Sequence, residues 1–270
     1  MGGRENVTAT DPVHGRRVLV TGAGQGIGFA VARALLERGA RIAVNDLSLE
    51  RVQHAVDALA PFGEVSGYAA DVRRRPEVQA MVERAENDLG GIDFLVSNAG
   101  IFPDNPFLEM TEEAWDRVMD INAKGTFLVC QAVARRMAAA AAKDQDIRQI
   151  VTISSGSYRF ARVGSAHYCA SKAAVVMLTR TMALELAPYR ILVNSVAPGL
   201  IENPSLTDDY RRAFTSGVPL GRIGVPEDIA AAVLMLLGSG ANYITGQVIG
   251  VDGGVTAGRY GLPMSHGEQH

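Results

Sequence analysis

Tyr168 and Lys172 stand four residues apart in the stretch AHYCASKAAV (166–175), and Ser155 closes the apolar run IVTISS thirteen residues before the tyrosine. Helical positions four apart differ by about 40° around the axis and about 6 Å along it, so a phenol and an ammonium at this spacing share a face. With a serine hydroxyl beside them they form a set suited to proton transfer at an oxygen atom. Oxidising an alcohol by hydride loss requires a base next to the hydroxyl, and free tyrosine, with a pKa near 10, is a poor one. An ammonium about 5 Å away, at an effective dielectric near 20, favours the phenolate by roughly 3 kcal/mol, about two pKa units. The expectation is that Lys172 makes Tyr168 a usable acid and base, with Ser155 delivered near them at the end of its strand.

A second cluster lies near the start of the chain. TGAGQGIG (21–28) follows an apolar run and opens a helical pattern, with Gly22, Gly26 and Gly28 in G-x-x-x-G-x-G spacing. Glycines let the backbone turn tightly and approach a pyrophosphate, whose charge meets the free N–H groups of a helix N-terminus. Asp46 ends the next apolar run, 18 residues past Gly28. That is close to the offset of about 20 at which a carboxylate can accept hydrogen bonds from an adenosine ribose.

The elements that must position these groups are legible as alternation. Strand patterns at 16–21, 41–46, 64–70, 92–97, 148–154, 190–196 and within GQVIGVDGG (246–254) are separated by helical patterns at 26–38, 49–60, 75–89, 111–138, 165–187 and 226–238. Apolar strands alternating with helices predict a doubly wound α/β domain: a parallel sheet of about seven strands covered on both faces. The expected organisation is a flexible arm over 1–14, one catalytic domain over 15–254 and a tail over 255–270. The Pro- and Gly-rich segment at about 200–222 is expected to be an irregular lid.

Composition narrows the function classes. A net charge of −3 without a long run of like charges offers no footprint for nucleic acid or an acidic membrane surface. No apolar segment approaches the roughly 20 residues of a membrane span, and the N-terminal stretch is too polar for a secretory signal. Cys130 and Cys169 are too few for a disulfide framework, and no metal-ligand pattern is present. The cytoplasm is the expected compartment.

The ordered set of motifs resembles the short-chain dehydrogenase/reductase family from Val18 to Gly254. It comprises TGAGQGIG, Asp71 with Val72, SNAG (97–100), NAKG (122–125), Ser155 ahead of YCASK, VNSVAPG (193–199) and VDGG (251–254). The resemblance implies a catalytic group of Asn122, Ser155, Tyr168 and Lys172, with Lys172 also reaching the nicotinamide ribose and Asn122 ordering a water that relays protons to it. It implies cofactor contacts from Gly22, Gln25, Gly26, Ile27 and Gly28, from Asp46 and Leu47, and from Asp71 and Val72 at the adenine. Asn98, Ala99 and Gly100 would line the cofactor's path, and Pro198, Gly199 and Ile201 would lie beneath the nicotinamide. Asn203 occupies a position where the family commonly has Thr, and an amide can donate and accept there.

The cofactor expected from Asp46 is NAD, because a 2′-phosphate would bring about two negative charges against the carboxylate. Gln25 and Leu47 hold the places where relatives using the phosphorylated cofactor often carry arginine, and Arg51 would have to reach back from the next helix. Ser157, with Ser155 and Tyr168, is a candidate substrate contact; Phe102, Phe107, Tyr158 and Phe160 are candidates for the pocket wall. Arg159 and Arg162 are read as solvated or interface residues, and His167 and Cys169 as structural. The expected reaction is hydride transfer between NAD and a secondary alcohol, sugar or aryl alcohol, in a homotetramer. The alternatives are an NADPH-dependent ketoacyl-thioester reductase and a non-catalytic dinucleotide sensor.

Overall fold

The computed structural model of the protein describes residues 11–144 and 146–258. Its centre is a seven-stranded, wholly parallel sheet: β1 (Arg17–Thr21), β2 (Arg41–Asp46), β3 (Val65–Ala69), β4 (Phe94–Ser97), β5 (Arg148–Ile153), β6 (Ile191–Pro198) and β7 (Val248–Val251). The spatial order is β3-β2-β1-β4-β5-β6-β7. From β1 the chain builds outward through β2 and β3, then crosses back to lay β4 against the other side of β1. Ligand crevices form at such a reversal, beyond the carboxyl ends of the strands.

Strand residues alternate between two buried layers. Val18 and Val20 of β1, with Phe94 and Val96 of β4, face the layer formed by α1 (Gly26–Leu36), α2 (Leu49–Leu59) and α8 (Pro226–Leu237). Leu19 and Leu95 face the opposite layer, under α3 (Arg75–Leu89), α5 (Thr126–Asp144) and α6 (Ala166–Leu186). Two-sided burial explains why the strands read as apolar runs.

Three sequence expectations change. The helical pattern at 111–138 is two helices, α4 (Glu112–Met119) and α5, joined by a π-helical turn at Asp120–Gly125. The segment expected to be irregular contains α7 (Asp208–Thr215), capped by Thr207, whose hydroxyl accepts from the Tyr210 N–H at 3.2 Å. Arg211 of α7 also pairs with Glu202 at 2.6 Å. The arm expected over 1–14 is anchored from Asp11 onward: Val13 is buried in the first apolar layer and Asp11 pairs with Arg38 at 3.2 Å. The rest of that arm, and the part of the tail from residue 259, lie outside the described residues. The start of the tail turns back on Asp252, which accepts from the Thr256 N–H at 2.9 Å.

Candidate active site

At the carboxyl edge of β1, the chain turns through Gly22, at φ +62°, into the first turn of α1. A side chain at Gly22 would meet the Ala99 Cα at 2.8 Å, and one at Gly28 would meet the Asn98 amide at 2.6 Å. Asn98 binds this loop: its Nδ2 donates to the carbonyls of Thr21 and Gly22, each at 3.0 Å. The Thr21 hydroxyl in turn accepts from the N–H groups of Asn98 and Ala99. Asn98 therefore shapes the glycine turn. Gln25, in the N-cap position of α1, makes no side-chain cap, and the first turn carries no acidic residue. Free amides with positive helix-end potential, under a loop that only glycine fits, suit a pyrophosphate.

Gly24, which the spacing pattern passes over, belongs to the same cradle. A Cβ there would lie 2.6 Å from Asp46 Oδ2 and 3.0 Å from the Arg51 Cβ. Asp46, 8% exposed at the end of β2, accepts from Arg51 Nε at 2.9 Å on Oδ1, and Arg51 Nη2 pairs with the same oxygen at 2.8 Å. Arg51 does reach back from the next helix: α2 begins shortly after the strand, and its first turn brings the guanidinium to the carboxylate. Leu47 is exposed. Asp71 is bound by Arg73, with Nη2 at 2.6 Å from Oδ2, and those hydrogen bonds hold its carboxyl below the usual range. Val72 is buried against the π-helical turn, where a side chain on Gly125 would strike it at 2.8 Å.

The candidate acid/base group gathers two strands away. Ser155 follows β5 in extended conformation, and its hydroxyl accepts from the Ser157 N–H at 3.1 Å. Tyr168 and Lys172 lie on the first turns of α6. Burial raises the Tyr168 phenol, while a hydrogen bond with Ser155 and the charge of Arg162 pull it down. Lys172 Nζ, 5.8 Å from the phenol ring centroid, donates to the Ile153 carbonyl at 2.9 Å. Burial lowers its own pKa to about 8. The expected depression of Tyr168 by Lys172 is therefore not what governs this phenol in the protein alone, where desolvation dominates.

Asn122 sits in the π-helical turn, fully buried. Its Oδ1 accepts from the Ile101 N–H at 2.8 Å, and its Nδ2 donates to the Ile101 carbonyl and the Ser171 hydroxyl at 2.9 and 3.0 Å. Gly100 leaves room where Asn122 and Lys172 converge: a Cβ there would lie 3.2 Å from Asn122 Oδ1 and 3.5 Å from Lys172 Nζ. Pro198 ends β6, and Gly199 packs on Asp252. Ile201 turns into the first apolar layer. Asn203 is folded onto its own loop, with Nδ2 donating to the Ile201 carbonyl at 3.2 Å and Oδ1 accepting from the Ser205 N–H at 3.0 Å. Phe102 meets the Tyr168 ring edge-on at 6.5 Å, and Phe107 and Phe160 are exposed.

A glycine cradle at the sheet's reversal and a Ser-Tyr-Lys group two strands away define a dinucleotide-dependent oxidoreductase, and the chain belongs to the short-chain dehydrogenase/reductase family. The family profile described as "Enoyl-(Acyl carrier protein) reductase" matches residues 22–256. The chain is 40% identical to the 3-oxoacyl-[acyl-carrier-protein] reductase FabG of Thermotoga maritima over 247 residues, covering 90% of this chain and 98% of that one. It is 38% identical to the 5-keto-D-gluconate 5-reductase of Escherichia coli K12 over 250 residues, 89% and 95% of the two chains. A short-chain type dehydrogenase/reductase from Mycobacterium marinum superposes with a TM-score of 0.86 at 39% identity, covering 91% of this chain and 97% of that one. The family binds a nicotinamide dinucleotide and acts on CH–OH and keto groups. Among the described residues no helix is long and apolar enough to cross a membrane.

Proposed function

We propose that the protein interconverts a secondary alcohol and its carbonyl with NAD, acting on a small sugar-like or aryl substrate. The observation that carries this reading is Tyr168 on the first turn of α6, with Lys172 Nζ 5.8 Å from its ring and Ser155 at the end of β5, beside the glycine cradle. The dinucleotide, when bound, supplies or accepts the hydride. In reduction Tyr168 gives its proton to the carbonyl oxygen, Ser155 holds that oxygen, and Lys172, an ammonium at neutral pH, keeps positive potential beside the phenol. Gly22, Gln25, Gly26, Ile27 and Gly28 would hold the pyrophosphate, and Oδ2 of Asp46 would accept from the ribose hydroxyls. Asp71 and Val72 would flank the adenine, with Ala99 along the path between the two ends. Ser157, which orients Ser155, would line the substrate side. A homotetramer and a cytoplasmic location go with this reading; the outward side of α6, where Met177 and Leu184 are exposed, offers an apolar surface to a partner copy.

A second reading, a 3-oxoacyl-thioester reductase using NADPH, is favoured by Arg51, a cation at the site a 2′-phosphate would take, and by the name of the Thermotoga relative. A non-catalytic sensor is disfavoured because it has no use for a paired serine and tyrosine. The deciding experiment measures turnover of acetoacetyl-CoA, 5-keto-D-gluconate and a panel of polyols, hydroxysteroids and aryl alcohols with each cofactor. Efficient use of acetoacetyl-CoA with NADPH alone would replace the first reading by the second.

A further inference from the structure

His167 lies in the first turn of α6, immediately before the candidate acid, and is completely buried. Its imidazole is used on both sides. Nδ1 accepts from the Tyr168 backbone N–H at 2.9 Å, and Nε2 is 3.0 Å from Asn105 Oδ1. A nitrogen that accepts carries no proton, so the ring is neutral with its hydrogen on Nε2, donated to Asn105. One ring thus ties the loop after β4 to the helix turn that presents Tyr168.

That loop forms part of the mouth of the site. Asn105 N–H donates to the Gly164 carbonyl at 2.8 Å, and Asp104 accepts from Arg162 at 2.6 Å and from the Ser165 hydroxyl at 3.2 Å. Arg162 continues to the Tyr210 hydroxyl on α7 at 3.3 Å. Phe102, on the same loop, is the ring set edge-on against Tyr168.

We propose that His167 is a positioning residue: neutral and Nε2-protonated, it clamps the 101–106 loop to α6 and so fixes the wall against which Tyr168 meets substrate, and protonation of Nδ1 releases that clamp. A proton on Nδ1 would face the Tyr168 N–H, two donors in contact, and the ring would have to leave its place. Burial holds the His167 pKa below its ordinary value, with Asp104 opposing. The charged group that acts on it is Asp104, held by Arg162. The charged residues of α4, Glu112, Glu113, Asp116 and Arg117, are exposed.

This inference rests on the reading of the protein as a carbonyl reductase, and the reduction direction isolates it. Tyr168 must be protonated to reduce a carbonyl, so acid does not impair the tyrosine, and a loss of kcat/KM at low pH has to come from elsewhere. For acetoacetyl-CoA or 5-keto-D-gluconate, from about pH 9 down to about pH 5, wild-type kcat/KM should fall up to about tenfold per unit below the His167 pKa, chiefly through KM. His167→Gln, which does not titrate, should lose this acid limb. Asn105→Ala, which leaves the helix untouched, should raise KM at alkaline pH and speed hydrogen exchange in 101–106. The same exchange measured on wild type should quicken on acidification beyond the intrinsic chemical rate and become pH-indifferent in His167→Gln. If neither ketone is turned over, the exchange data still decide the clamp while the reductase reading fails. An acid limb surviving in His167→Gln, or a wild-type loop whose protection ignores pH, overturns the proposal.

Discussion

Arg51 places a hydrogen bond from Nε and an ion-pair contact from Nη2 on one oxygen of Asp46, Oδ1, and leaves the other, Oδ2, facing the space that Gly24 keeps open. The carboxylate thus serves a cation on one side and is free to accept on the other. A ribose diol would use the free oxygen, and a 2′-phosphate would have to draw Arg51 away. The enzyme should therefore prefer NAD while retaining measurable NADP activity. Arg51→Gln should lower kcat/KM for NADP by about tenfold, roughly 1.4 kcal/mol, with little effect on NAD. Asp46→Ala with Leu47→Arg should reverse the preference. Steady-state kinetics with both cofactors checks this; indifference of NADP kinetics to Arg51 would remove the guanidinium from cofactor choice.

Gly24→Ala should disturb the same corner from the opposite direction. Its methyl would lie 2.6 Å from Asp46 Oδ2 and 2.9 Å from Cγ, so the carboxylate has to shift. The backbone there is not in the left-handed region, so the fold should survive. Cofactor affinity should drop about tenfold or more with Tm nearly unchanged. Dinucleotide titration by calorimetry, beside a melting curve, separates the two effects.

Tyr168→Phe should abolish most turnover, by about 10² to 10⁴-fold, and leave dinucleotide affinity close to wild type. Lys172→Met should impair both. Because burial raises the phenol but lowers Lys172 to about 8, reduction should hold steady through neutrality and decline above about pH 8 as Lys172 loses its charge. Retention of more than about a tenth of wild-type kcat by the phenylalanine variant would exclude Tyr168 as the proton donor.

Far from the site, Asp93 precedes β4 and binds Arg17 of β1 at 2.8 Å and 2.5 Å through Nε and Nη2. Burial alone would raise its pKa, but the hydrogen bonds and charge of Arg17 outweigh it, and the carboxyl is held below its ordinary value. A depressed carboxylate stabilises the fold above its unfolded pKa, near 3.9, and that contribution is lost as pH falls through the lower folded value. Asp93→Asn should cost about 3 kcal/mol at neutral pH and flatten the acid end of the stability curve. Denaturant melts at several pH values test it; an unchanged acid slope would assign the acid sensitivity to other carboxylates.

The sheet was legible because its five inner strands are buried on both faces and bounded by polar turns, and the half-buried edge strands β3 and β7 keep the same alternation with helices. The glycine loop, Asp46 and the Ser155, Tyr168 and Lys172 set were legible because their spacing is local. What escaped depends on side-chain reach or on a helix too short to stand out. α7 has only eight residues and buries no side chain fully, and its apolar positions, Tyr210, Ala213 and Phe214, span little more than one turn within a Pro- and Gly-rich segment. Arg51 is distant from Asp46 only along the chain. His167 looked structural because neighbouring helical positions point about 100° apart, yet its ring folds back over the first turn to the next residue's own N–H.

The π-helical turn at Asp120–Gly125 holds one residue more than an α-helix would need to cover the same arc. Asn122 owes its aim at Ile101 and Ser171 to that surplus. Excising that surplus residue would let α4 run into α5 as one regular helix across the same arc, so the inward stripe of α5, from Leu128 to Met137, would stay against the sheet. The bulge, and the direction it gives Asn122, would be lost. Length in this stretch is therefore a quantised property that serves the Asn122 contacts and not the core: a one-residue deletion should leave the fold standing and remove them.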